Sequence, residues 1–175
     1  MRWEALFADL QAQAAGQDQE EFEAHVAEVV ELEWSRVELV DRLRGHRGRR
    51  IGVRLQGGES LTLDVETVGS DWMAGVGGGA QWLIPCGAIS VVSGLTRRVR
   101  PETSRVRARL GIASPLRVLA EGRYSVVVRG ETGILAEGAL LGVGKDFIDV
   151  RSEAVDPLIR TVPLRALTAV CSARS

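Results

Sequence analysis

The sequence predicts a mainly β protein with N-terminal helices, built as two tandem five-stranded small barrels, each preceded by a helix. Three observations predict it. First, VETVGSDWMAGV at 65–76 has an echo in LLGVGKDFIDVR at 140–151, where an apolar strand again runs into Val-Gly-x-Asp-aromatic and out into a second strand. Second, the echo extends both ways. At the offset of 75, Val53-Arg54 matches Val128-Arg129 and Gly58 matches Gly133; beyond the turn, at an offset of 78, Leu83-Ile84-Pro85 faces Thr161-Val162-Pro163 and Val92 faces Val170. Third, short alternating apolar runs bounded by Gly, Asp and Pro fill residues 50–94 and again 124–171, the pattern of strands and turns.

Taken in order, residues 1–45 read as a helical hairpin. Trp3, Leu6, Phe7, Leu10 and Ala14 stand at helical spacing, and Gly16 ends that helix. Asp18 caps a second helix over 19–44, with Phe22, Val26, Val29, Val30, Val37, Val40 and Leu43 as its apolar stripe. Acids stand early in it and arginines late, as the helix dipole favours. Its length of about 38 Å exceeds a small barrel, so it is expected to rest on the first helix, the second barrel or a partner subunit. Gly45 and Gly48 stop it. Residues 46–94 form the first barrel, with strands over 50–56, 60–68, 72–76, 81–85 and 88–93. Residues 95–113 are a charged linker with Pro101 and a short helix capped by Thr103 or Ser104. Residues 114–172 hold a helix opened by Ser114 as cap and Pro115 as first helical residue, then the second barrel, with strands over 124–129, 134–142, 147–151, 158–163 and 167–171. Open strand edges seek a neighbour, so the barrels are expected to pack as a pseudo-dimer.

The bulk properties are those of an ordinary globular chain: 175 residues, 45% hydrophobic and 26% charged. No apolar run approaches the ~18 residues of a membrane span. MRWEALFADL carries acids inside its apolar stretch, unlike a secretory signal. The two cysteines, Cys86 and Cys171, are too few for a disulfide framework and lack metal-ligand spacing. A cytoplasmic location is therefore expected. The net charge of −1 is unevenly placed: residues 1–45 hold eleven acids and four arginines (−7), residues 46–110 five acids and ten arginines (+5).

Helix followed by a bent five-stranded antiparallel sheet resembles the Sm and Sm-like (SH3-type) small-barrel fold over about residues 36–94 and 114–172. VGSDWMAGV and GVGKDFIDV are similar to the first Sm motif of Gly, a variable residue, Asp, an aromatic and an apolar residue. The resemblance implies RNA binding through an Asn shortly after the aromatic residue, but Ala74 and Asp149 stand there. It also implies a basic residue and a Gly near the last turn, where Pro85-Cys86 and Pro163-Leu164 stand. Both copies lack the residues that would read RNA. The layout of MRWEALFADL, DRLRG and VGSDW also resembles proteins of actinobacteria, a likeness that brings no activity with it.

No catalytic constellation, cofactor motif or metal-ligand set stands out. GVGKD at 142–146 lacks the first glycine and the hydroxyl residue of a phosphate loop and runs into a strand, so it reads as a turn. GVGGGA at 75–80 lies between two strands, with no helix N-terminus to receive a phosphate. Gly69, Asp71, Gly144 and Asp146 read as structural turn residues, each Asp accepting backbone N–H groups to fix its bend. His25 and His46 read as solvent-facing, Cys86 as a small core residue, and Trp72 and Trp82 as core rather than a base-stacking platform. Arg47, Arg49, Arg50, Arg97, Arg98 and Arg100 form the one candidate anion or nucleic-acid surface; pairing with the acidic helix is the favoured alternative. The function expected is a non-enzymatic protein-interaction or scaffold module whose N-terminal helices meet a protein partner, self or other. Nucleic-acid binding is the second reading.

Overall fold

The computed structural model describes residues 22–152 and 157–172. The chain divides between Val37 and Glu38 into two units. The helix expected at 2–15 and the Asp18 cap lie outside the described residues. In the first unit a helix (α1) covers residues 22–34. It does not continue to residue 44 as the periodicity suggests. The Ser35 hydroxyl donates to the Leu32 carbonyl at 2.7 Å, an alternative to the helical ladder. The backbone tightens as Val37 N–H bonds Trp34 O at 3.1 Å, and Glu38 is extended at φ −86°, ψ 152°. A separate helix, α2 (Leu39–Gly45), opens the second unit.

That unit is one open antiparallel sheet of ten strands: β1 (Arg50–Leu55), β2 (Ser60–Val68), β3 (Trp72–Gly77), β4 (Ala80–Pro85), β5 (Ile89–Ser93), β6 (Ser125–Gly130), β7 (Gly133–Val143), β8 (Phe147–Arg151), β9 (Ile159–Pro163) and β10 (Ala169–Ser172). Their order is β5-β1-β2-β3-β4-β10-β6-β7-β8-β9. The second five strands therefore repeat the order of the first, and one pairing, β4 with β10, joins the halves. Its register is Val170 opposite Leu83 and Cys171 opposite Trp82.

The repeat extends to register. Trp72 faces Pro85 as Phe147 faces Pro163, and Val53 faces Val92 as Val128 faces Val170. β2 slips between Val65 and Thr67 against β3, and β7 slips between Leu140 and Gly142 against β8. An irregularity of this kind bends a strand, and it recurs at the equivalent place.

Two apolar clusters fill the unit, and each borrows across the seam. One holds Leu43, Ile51, Leu63, Met73 and Ile84 of the first half together with Ala169 and Cys171 of β10. The other holds Leu116, Val128, Leu140 and Ile148 of the second half together with Trp72 and Leu83. The two halves thus share one sheet and interlocked cores.

Between them, residues 95–106 run without regular structure, a single 3-10 turn forms at Arg107–Arg109, and α3 (Ala113–Glu121) follows. Ser104 Oγ accepts the Arg107 N–H at 3.4 Å before that turn. Ser114 does not cap α3. Its cap position is Ile112, whose N–H is taken by a carboxylate from the first half, and Ser114 lies within the first turn.

Candidate interaction surfaces

The two Gly-x-Asp-aromatic turns share a backbone device. Gly69 N–H bonds Trp72 O at 2.8 Å, and Gly144 N–H bonds Phe147 O at 2.8 Å. The carbonyls of Asp71 and Asp146 accept from Cys86 and Leu164, both at 2.8 Å, tying each turn to the end of the next strand. A Cβ on Gly69 or Gly144 would collide with the ring of Trp72 or Phe147, which is why glycine stands three residues before the aromatic.

The carboxylates do something the sequence did not show. Asp71 Oδ1 accepts the Ile112 N–H at 2.9 Å and so caps α3 instead of fixing its own bend. Beside it, Trp72 Nε1 donates to Leu110 O at 2.9 Å. Residues 110–112 are thereby docked on the first turn. The Asp146 carboxylate is exposed and makes no hydrogen bond among the described residues. The matching surface there is an open pocket of about 320 Å³ lined by Lys145, Asp146, Phe147, Pro163, Leu164 and Arg165.

The seam is flanked by two grooves. One, of about 470 Å³, is walled by Trp72, Trp82, Pro115, Val118 and Tyr124. The other, of about 690 Å³, includes Glu59, Arg129, Ile134 and Glu137. Arg129 pairs with Glu59 at 3.0 Å and lies 5.7 Å from the Trp82 ring centre. Both indoles are buried, and Trp82 Nε1 donates to Gly77 O at 3.0 Å.

His46 is not solvent-facing; it is 1% exposed. Thr96 N–H donates to its Nε2 at 2.9 Å, so the hydrogen sits on Nδ1, 2.7 Å from Arg42 O. Arg44 is buried nearby. It donates to Gly69 O at 3.0 Å and Arg100 O at 3.3 Å, pairs with Asp41, and faces Glu102 at 3.6 Å. These contacts lash the segment after β5 onto α2. His25 is exposed on α1. Burial, and secondarily the charge of Asp71, pushes the Cys86 thiol up to about 12, so it is no thiolate nucleophile at neutral pH. The Cys171 thiol is also raised by burial.

The six candidate arginines all lie exposed around α2 and the segment lashed to it. Arg50 makes a two-pronged pair with Asp64, at 3.0 and 2.9 Å, and Arg47 Nε donates to Glu66 O at 2.8 Å. Arg97, Arg98 and Arg100 follow one another along the strap, residues 95–102 after β5. Among the described residues no group of three or more His, Cys, Asp or Glu could hold a metal ion. No described helix is long and apolar enough to cross a membrane.

α1 carries a different surface. Phe22, Val26, Val29 and Val30, four positions of one helical face, are all exposed. No family model matches this chain, and no curated protein does.

Proposed function

We propose that the protein is a non-enzymatic interaction or scaffold module: two Sm-like small barrels fused through β4 and β10, with α1 as the surface that meets a protein partner. The repeated strand order and the repeated bend support the barrel reading. The observation that carries the function is the exposed stripe Phe22, Val26, Val29 and Val30. An apolar helical face left in water marks a binding surface, and a groove of another protein is its usual complement. The cytoplasm is the compartment assumed in this reading.

A second reading rests on the exposed arginines around α2, which suit a phosphate backbone. The test uses full-length protein in both arms. Val26→Glu with Val30→Glu should abolish capture of a specific protein partner from the native cell extract while leaving the fold intact. Fluorescence anisotropy with mixed oligonucleotides should show no tight, salt-sensitive binding. A partner retained by the double variant would overturn the role given to α1, and tight oligonucleotide binding that is lost on substituting Arg97 and Arg98 would favour the second reading.

A further inference from the structure

The two halves present the same strand order, yet their edges have unlike fates. β4 and β10 find each other within the chain. Among the described residues their counterparts, β9 and β5, end the sheet, and an open strand edge templates pairing with another chain. The difference in exposure between counterparts is large. Ala169 on β10 is 0% exposed, whereas Val91, its counterpart on β5 at the offset of 78, is 52% exposed. Trp72 is 8% exposed and Phe147, its counterpart at 75, is 37%. Ile112 is 9% exposed and Leu39 is 39%; each lies four residues before the leucine its helix buries, Leu116 and Leu43. These three sites, buried beside the internal joint, are thus open at the other end of the sheet, while Val92, the counterpart of Val170, stays half-buried.

The open pocket completes the comparison. On the first turn, residues 110–112 fill the surface over Asp71 and Trp72. On the second turn that surface is the pocket at Lys145, Asp146 and Phe147. By position before its buried leucine, the start of α2 is the counterpart of the filling segment, and Glu38 there is opposite in charge to Lys145 and Arg165 at the pocket rim.

We infer that a second copy of this chain docks there: β5 of one copy adds to β9 of the next, and the start of α2 seats in the pocket over Phe147, with Asp146 capping it as Asp71 caps α3. Repeating the seam register, Val170 opposite Leu83 and Cys171 opposite Trp82, sets Val92 opposite Thr161 and Ser93 opposite Arg160. The contact is heterologous, so each copy has one free donor edge and one free acceptor edge, and assembly proceeds head to tail. The inference uses no residue of the α1 stripe, so the α1 double variant should assemble as the wild type does.

The test uses full-length chains. Val91→Lys places a charge on β5 where the counterpart Ala169 is 0% exposed, and Thr161→Lys places one on β9 where the counterpart Leu83 is 6% exposed; both positions are exposed in the single chain. By light scattering, the wild type should exceed the mass of one chain, each variant alone should fall to one chain, and an equal mixture should give a dimer through the one intact pair of edges. As a second measurement, Ser93→Cys and Arg160→Cys chains, mixed and oxidised, should cross-link to each other. A wild type that stays monomeric at its highest soluble concentration overturns the inference. So does either lysine variant that still self-associates, or two folded variants that neither dimerise nor cross-link on mixing.

Discussion

Gly69 and Gly144 occupy matching turns, but the rings folded over them are held differently. Trp72 is buried and pinned by its bond to Leu110 O at 2.9 Å, whereas Phe147 is partly exposed and can swing. Gly69→Ala should therefore cost about 1–3 kcal/mol, the range for forcing an extra methyl into a packed site, and Gly144→Ala clearly less. Urea unfolding at low protein concentration checks the ranking. Cys86 gives a pH-dependent test. Its thiol lies at about 12 against an ordinary 9.0, so alkylation of the folded protein should stay slow through pH 9 and become fast only in denaturant. The linkage has a sign. Between pH 9 and about 12 the unfolded chain gives up the proton and the folded chain keeps it, so stability contributed below pH 9 is lost as pH rises across that window. Melting temperatures measured from pH 8 upward check the direction.

At the scale of elements, α2 and its strap form one cooperative piece. His46→Ala removes a buried ring together with its bonds to Arg42 O and Thr96 N–H. The loss should be on the order of 3 kcal/mol, and hydrogen exchange should show residues 95–102 loosening first. None of this was legible in the sequence. A histidine between Gly45 and Gly48 reads as loop, and its burial depends on Thr96, fifty positions away along the chain. The end of α1 was hidden for a related reason. Residues 35–38 contain neither Gly nor Pro, and the apolar period runs on through Val37, Val40 and Leu43, so only the Ser35 hydroxyl marks the break. The strands, by contrast, were readable to within a residue or two, because alternation and glycine turns are local signals. The turn motif reads as a bend whose Asp accepts a backbone N–H, but the donor is Ile112, forty-one positions on, and no local pattern announces such a partner.

At the scale of the molecule, the repeat and the joining of its halves through open strand edges were legible in the residues, while the particular pair of edges was not. Which edges meet is decided by complementarity across β4 and β10, and sequence periodicity does not encode it. The outcome is one ten-stranded sheet with interlocked cores. Its consequence is that the chain carries one used copy and one unused copy of the same joint. The most direct measurement is hydrogen exchange by mass spectrometry on the wild-type chain, concentrated and dilute, following residues 82–84 and 169–171 of the seam and residues 91–93 and 159–161 of the open edges. The seam amides should be protected at both concentrations, and the edge amides protected when concentrated and fast on dilution. Edge amides equally fast at every concentration, or seam amides as fast as the edges, would contradict the account.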